Sequence, residues 1–180
     1  MFVVAGPPGS GKSSVFPVAG FGCSCFNADD RAAELNHGSY VGIPKNIRQA
    51  VNREFEAFVL HAIRNRTSFS IETTLRSGVT FEQVSLAKAA GFATEMRFLS
   101  LRDFSMHLDR VKARADAGGH SASETTLRAI YRASLANLPR AIVEMDDLWV
   151  YDNSPVGGPP RLVMESENGK RERNCPFSRG

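Results

Sequence analysis

The sequence predicts an α/β fold in three layers, a mainly parallel sheet of about five strands between helices, with a helical lid. Three observations predict it. Short apolar runs that suit buried strands alternate with longer stretches of helical periodicity. The first run passes directly into a glycine-rich stretch that ends in Lys-Ser. Acids, hydroxyls and arginines collect where later runs end, the edge at which open parallel sheets bind ligands.

The first strand is Phe2 to Ala5. Gly6-Pro7-Pro8-Gly9-Ser10-Gly11-Lys12-Ser13 then fits G-x-x-x-x-G-K-[ST], the phosphate-binding P-loop, which makes the expected fold a P-loop NTPase. Glycines let the backbone turn its N–H groups toward phosphate oxygens, and the following helix adds its positive dipole end. The residues expected to bind nucleotide are therefore Gly6, Pro7, Pro8, Gly9, Ser10, Gly11, Lys12, Ser13 and Ser14. Lys12 would reach the β- and γ-phosphates, and the Ser13 hydroxyl would ligate metal, so ATP and Mg²⁺ are the expected cofactors. Pro17 falls about one turn into the helix opened by Lys12 to Phe16 and should end or bend it.

Cys25 to Asn27 reads as a brief second strand, with Asp29 and Asp30 just beyond its tip. Asp29 is the expected working carboxylate, and Asp30 a candidate N-cap for Arg31 to Leu35. After a loop from His37 to Pro44, Lys45 to Arg66 is the best-patterned helix. Ile47, Val51, Phe55, Phe58, Val59 and Ala62 form one apolar stripe, with His61 expected partly buried. Ser68 to Leu75 is the next strand and runs into Glu72, Thr74 and Arg76. Those polar groups either meet a ligand or close a turn as a Glu72–Arg76 ion pair.

Thr80 can cap a helix from Phe81 to Ala90 that Gly91 ends. Ala93 to Leu101 reads as the fourth strand. A helix from Asp103 to Arg114 turns Phe104, Leu108 and Val111 inward. Ala117-Gly118-Gly119-His120 breaks it. Ser121 and Glu124 form a capping box for a helix carrying Leu127, Ile130, Tyr131 and Leu135, in which Pro139 marks a bend or a second start. Helix, Gly-Gly and helix with several arginines make a lid of the kind that closes over a transferring phosphoryl group. Leu148 to Asp152 is the fifth strand. A Pro/Gly-rich stretch from Pro155 to Pro160 leads to an edge strand from Arg161 to Glu165, a tight turn at Asn168-Gly169 and a loosely ordered tail. Residues 1–155 form the expected domain, and residues 156–180 an edge strand and tail.

Composition limits the function classes. The 180 residues suit one domain. A formal charge of +3 does not argue for nucleic acid, and no stripe of basic and aromatic residues appears. No apolar run would span a bilayer. Cys23, Cys25 and Cys175 have no metal-ligand or redox spacing. With no leader expected ahead of the first strand, they point to a reducing cytoplasm.

The P-loop, Asn27-Ala28-Asp29, Ile71-Glu72-Thr73-Thr74-Leu75-Arg76, the stretch from Arg110 to His120, and Val150-Tyr151-Asp152-Asn153-Ser154 occur in this order. Together they resemble the zeta toxin-like P-loop kinases, in particular a short stand-alone branch described as predicted ATPases. The resemblance implies transfer of the γ-phosphoryl of ATP to a hydroxyl of a small-molecule acceptor. In the best-known members that acceptor is UDP-N-acetylglucosamine. It implies Asp29 as general base, Glu72, Thr74 and Arg76 as substrate-binding residues, and Arg114, with Arg110 as the alternative, as the lid arginine. His120 stands near a second family arginine. An antitoxin protein is the implied partner. Thr73, Pro17 and the proline-free stretch from Gly118 to Ser123 depart from the family pattern. The alternatives are a kinase of another small molecule (a nucleoside, a sugar or an antibiotic) and an ATP-binding regulatory protein without transfer activity.

Overall fold

The structure is a computed structural model, and it describes residues 1–116, 122–155, 157–168 and 170–172. Strand β1 (Phe2–Ala5) enters the P-loop, followed by the four-residue helix α1 (Lys12–Val15) and a 3₁₀ turn (Val18–Phe21). The early end of α1 is the expected effect of Pro17. The chain continues through β2 (Ser24–Phe26), α2 (Ala28–Leu35), α3 (Lys45–Arg64), β3 (Phe69–Thr73) and α4 (Val79–Ala89). It then forms β4 (Glu95–Ser100), α5 (Phe104–Asp116), α6 (Glu124–Glu144), β5 (Asp147–Asp152), β6 (Arg161–Glu167) and β7 (Lys170–Glu172).

The sheet order is β2-β3-β1-β4-β5-β6-β7. The five expected strands are its parallel part, and β6 and β7 add an antiparallel edge. Strand β6 runs to Glu167 and is not the edge itself, because β7 pairs with it in the region expected to be a tail. Asn168, at φ 47, begins the turn between them. β1 lies between β3 and β4, so the chain leaves it toward one side and later returns on the other. The C-terminal tip of β1 is thus a topological switch point, where such sheets bind ligands.

One sheet face carries Val3, Ala5, Phe69, Ile71, Met96, Phe98, Leu148 and Val150. Against it pack Val59 and Ala62 of α3, Phe81, Val84 and Ala87 of α4, and Ala141 and Ile142 of α6. The alternation of strands directs these residues inward. On the opposite face lie Phe16, just after α1, and the 3₁₀ turn. Phe2 stacks on Phe21, and the Arg97 guanidinium lies between the rings of Phe16 and Phe21 at 5.0 and 4.8 Å.

Several local expectations are corrected. Asn27, not Asp30, caps α2. Its Oδ1 accepts from the N–H of Asp29 and of Asp30, which places both acids in the first turn. Helix α4 starts two residues earlier than expected, after Gly78. The Thr80 hydroxyl is no cap, because it is buried and hydrogen-bonded to Thr73 Oγ1 at 3.2 Å. Ser123 caps α6 by accepting from Thr126 N–H, and Ser121 lies outside the described residues. Pro139 neither ends nor restarts α6, which runs on through buried Ala141 and Ile142. Core packing outweighs the lost backbone donor there. His61 is exposed and meets Asn65 at 3.0 Å.

Candidate active site

Four carbonyls of the P-loop are anchored by side chains, two from elsewhere in the fold and two by its own lysine. Pro8 O accepts from His107 Nδ1 at 2.9 Å, and Ser10 O accepts from Asn153 Nδ2 at 2.9 Å. Gly6 O and Pro7 O accept from Lys12 Nζ at 2.8 and 3.2 Å. No peptide is cis. In a trans peptide the N–H points opposite to the carbonyl, so tying Pro8 O and Ser10 O outward turns the N–H groups of Gly9 and Gly11 to the other side of the loop. Gly9 and Gly11 hold φ of 78° and 91°, and a Cβ on either would lie 2.5 Å from His107 O or Asn153 Nδ2. Only glycine lets the loop lie this close to both anchors.

Lys12 is 7% exposed, and its Nζ lies 3.9 Å from Glu72 Oε1. Burial holds its pKa below the ordinary lysine value. Glu72 and Asp29 oppose that shift, and Arg114 adds to it. Those four charges therefore converge on one place. Ser13 Oγ donates to Glu72 Oε2 at 2.9 Å. Glu72 leaves β3 beside Val4 of β1, and Asp29 comes from the capped first turn of α2.

These groups line one cavity of about 880 Å³, near the top of the range of about 300–1,000 Å³ usual for ligand sites. Gly9, Gly11, Lys12, Ser13, Ser14, Asp29, Glu72, Thr74, Arg76, Arg110 and Arg114 are all on its wall. Asp30 is not on that wall. It accepts instead from the Tyr40 hydroxyl at 2.9 Å. No Glu72–Arg76 pair closes the turn among the described ion pairs, because Glu72 faces Lys12 and Ser13. Leu75 is fully buried at φ 55, and its carbonyl accepts from Asn137 Nδ2 at 2.9 Å. Turning Leu75 inward at a conformation costly for leucine leaves Thr74 and Arg76 facing the cavity on either side. Arg110 Nη2 donates to Asn153 O at 2.9 Å. His120 lies outside the described residues.

The oxygen donors of Ser13, Glu72 and Asp29 suit Mg²⁺, a hard cation that keeps several waters and binds few protein ligands beside phosphates. No group of three or more His, Cys, Asp or Glu side chains able to hold a metal occurs among the described residues. No helix of the described residues is long and apolar enough to cross a membrane.

No family model matches the chain. It is 27% identical over 131 residues to an uncharacterized protein of Haemophilus influenzae, covering 70% of this chain and 88% of that one. A chain of the AvrRxo1-ORF1:ORF2 complex with ATP superposes at a TM-score of 0.71 with 16% identity, over 96% of this chain and 60% of that one. A chain of the PezAT toxin–antitoxin system of Streptococcus pneumoniae superposes at 0.65 with 13% identity, over 84% of this chain and 66% of that one. The protein shares the mainly parallel α/β fold of these solved chains. The protein spans less than two thirds of either solved chain.

Within this fold, the sequence gives no role to His107, Asn153 or Gln83. His107 shares a helical stripe with Val111, a spacing visible in the sequence. Asn153 follows the fifth strand directly, at the ligand-binding edge of the sheet. Nothing in the sequence marked Gln83.

Proposed function

We propose that the protein is an ATP-dependent kinase that transfers the γ-phosphoryl group to a hydroxyl of a small molecule. The observation that carries this reading is the shared cavity, whose wall holds both the phosphate-binding loop and Asp29, with Glu72 hydrogen-bonded to Ser13 of that loop.

In this reading the N–H groups of Gly9 and Gly11 and the opening turn of α1 hold the phosphates. Lys12 exchanges its carbonyl partners for phosphate oxygens and neutralises charge there. Ser13, with Glu72, would hold Mg²⁺, which would supply positive charge against the phosphates. Asp29 accepts the proton of the acceptor hydroxyl as its oxygen bonds to the γ-phosphorus. The bond from that phosphorus to the β–γ bridging oxygen breaks, and ADP leaves. Arg114, or Arg110 from one turn earlier, adds positive charge to the equatorial oxygens. Thr74 and Arg76 orient the acceptor, and positioning plus charge neutralisation supply most of the acceleration.

The resemblance to zeta toxin-like kinases makes UDP-N-acetylglucosamine the first acceptor to try. The solved neighbours come from an ORF1:ORF2 complex and a toxin–antitoxin system, which supports an antitoxin protein as partner. The test is incubation with labelled ATP and a cell extract, followed by identification of the labelled small molecule. Lys12→Ala and Asp29→Ala should each abolish labelling while keeping the wild-type circular dichroism. Full activity in either variant refutes the assignment.

A further inference from the structure

Gln83 is 7% exposed, and its Oε1 has no hydrogen-bond partner among the described residues. Of the four buried side-chain atoms in that condition, it alone belongs to the wall of the cavity. The other three are the hydroxyls of Ser10, Ser134 and Ser166. A buried amide without a partner disfavours the free protein, and a ligand that supplies the missing bond removes that penalty. A half-turn about the last side-chain bond exchanges the oxygen and the nitrogen, so the amide can offer a donor and an acceptor side by side.

Its place in the fold says which ligand it meets. Helix α4 follows β3, and Val79, Thr80 and Gln83 lie on one face of it, spaced three and four apart. Asn52 and Phe55 of α3 line the same cavity. In the sheet, β3 and β2 lie on one side of β1, and β4 and β5 on the other. Asp29, Thr74 and Arg76 follow β2 and β3. Arg110 and Asn153 follow β4 and β5. Gln83 therefore stands on the side of the acceptor groups. The Thr80 hydroxyl is engaged by Thr73, which leaves the amide as the unsatisfied polar group of that wall.

We infer that Gln83 is a specificity residue for the acceptor, reading an amide-type edge in which an N–H donor stands beside a C=O acceptor, as in an acetamide or a pyrimidine imide. This rests on the kinase reading for the identity of the ligand as acceptor. A site built to hydrogen-bond a substrate discriminates against the analogue lacking that group, because its own buried polar atoms are then left unpaired.

The test uses the full chain saturated with Mg²⁺ and a non-hydrolysable ATP analogue. Binding is measured for two matched pairs, UDP-N-acetylglucosamine against UDP-glucose, and UDP against N3-methyl-UDP. The wild type should prefer the amide or imide member of at least one pair by about tenfold or more. Gln83→Leu should lose that preference and melt, without ligand, at the same or a higher temperature. Gln83→Glu, which keeps the acceptors and loses the donor, should lose it partly. No preference in the wild type, a preference that survives in Gln83→Leu, or a lower melting temperature for that variant overturns the inference. ADP release with ATP separates the two readings. Preference without turnover leaves the amide site standing and removes the kinase. Turnover of both members at equal rates does the reverse.

Discussion

Lys12 is a cation kept at 7% exposure, held by two backbone carbonyls and one carboxylate until a ligand replaces them. Burial lowers its pKa, so the folded state binds its proton less well than the unfolded chain does. Stability linked to this group therefore rises with pH from the depressed value toward the ordinary one, and is reduced at neutral pH. Lys12→Met should melt at an equal or higher temperature at pH 7 while losing ATP binding, which calorimetry with and without ATP would check. His107 has the same sign. Burial holds its pKa below the ordinary value, and the nearby charges of Lys12 and Arg110 push in the same direction, against the bonds to Pro8 and Leu101. Its neutral ring donates to Pro8 O and accepts from Leu101 N–H at 3.0 Å, an arrangement that imidazolium cannot keep. The linked stability is present above the ordinary histidine range and is lost as pH falls below it. Urea unfolding at pH 7.5 and 5.5 should show a loss in the wild type that is smaller in His107→Gln.

Helix α2 shows how an element presents a site. Its eight residues are capped by Asn27, whose side chain satisfies two of the orphan donors of the first turn. Asp29 gains a fixed backbone from that cap, with its carboxylate also favoured at the positive end of the helix dipole. Asn27→Ala should cost about 1 kcal/mol in denaturant unfolding. On the proposed mechanism it should also lower the rate of phosphoryl transfer more than the affinity for ATP, because the P-loop and not α2 would hold ATP. Asn27→Asp should restore both. The pattern Asn27-Ala28-Asp29 is legible as a candidate site, but the sequence offers Asp30 as a candidate cap where the structure uses Asn27, since either residue type caps well and only the backbone geometry decides. Pro139 is the parallel case in α6. Local propensity says break, and the helix continues because residues on both sides of the proline are buried against the sheet.

At the scale of the whole molecule, the cavity joins segments that are far apart in sequence: the P-loop, the tips of β2 and β3, and helices α3 to α6. A ligand bridging them stabilises the fold by mass action. Mg²⁺·ATP at 100 times its dissociation constant should add about 2.7 kcal/mol, a rise of roughly 5–10 °C in Tm for a chain of this size. Lys12→Ala should lose most of that rise in differential scanning fluorimetry. What the sequence determined by itself is local. The glycine spacing and Lys12-Ser13 define the phosphate loop, because backbone turning and a short reach are properties of consecutive residues. The period of the apolar runs defines the parallel strands, and Asp29, Glu72, Thr74 and Arg76 stand out because polar groups are costly at strand tips unless they have a partner. What only the tertiary structure decided is long-range. His107 and Asn153 hold carbonyls 99 and 143 residues away along the chain. Leu75 turns inward at a positive φ. Gln83 is left without a partner at the cavity wall. Each depends on which surfaces meet when helices pack on the sheet, and no spacing along the chain encodes that distance.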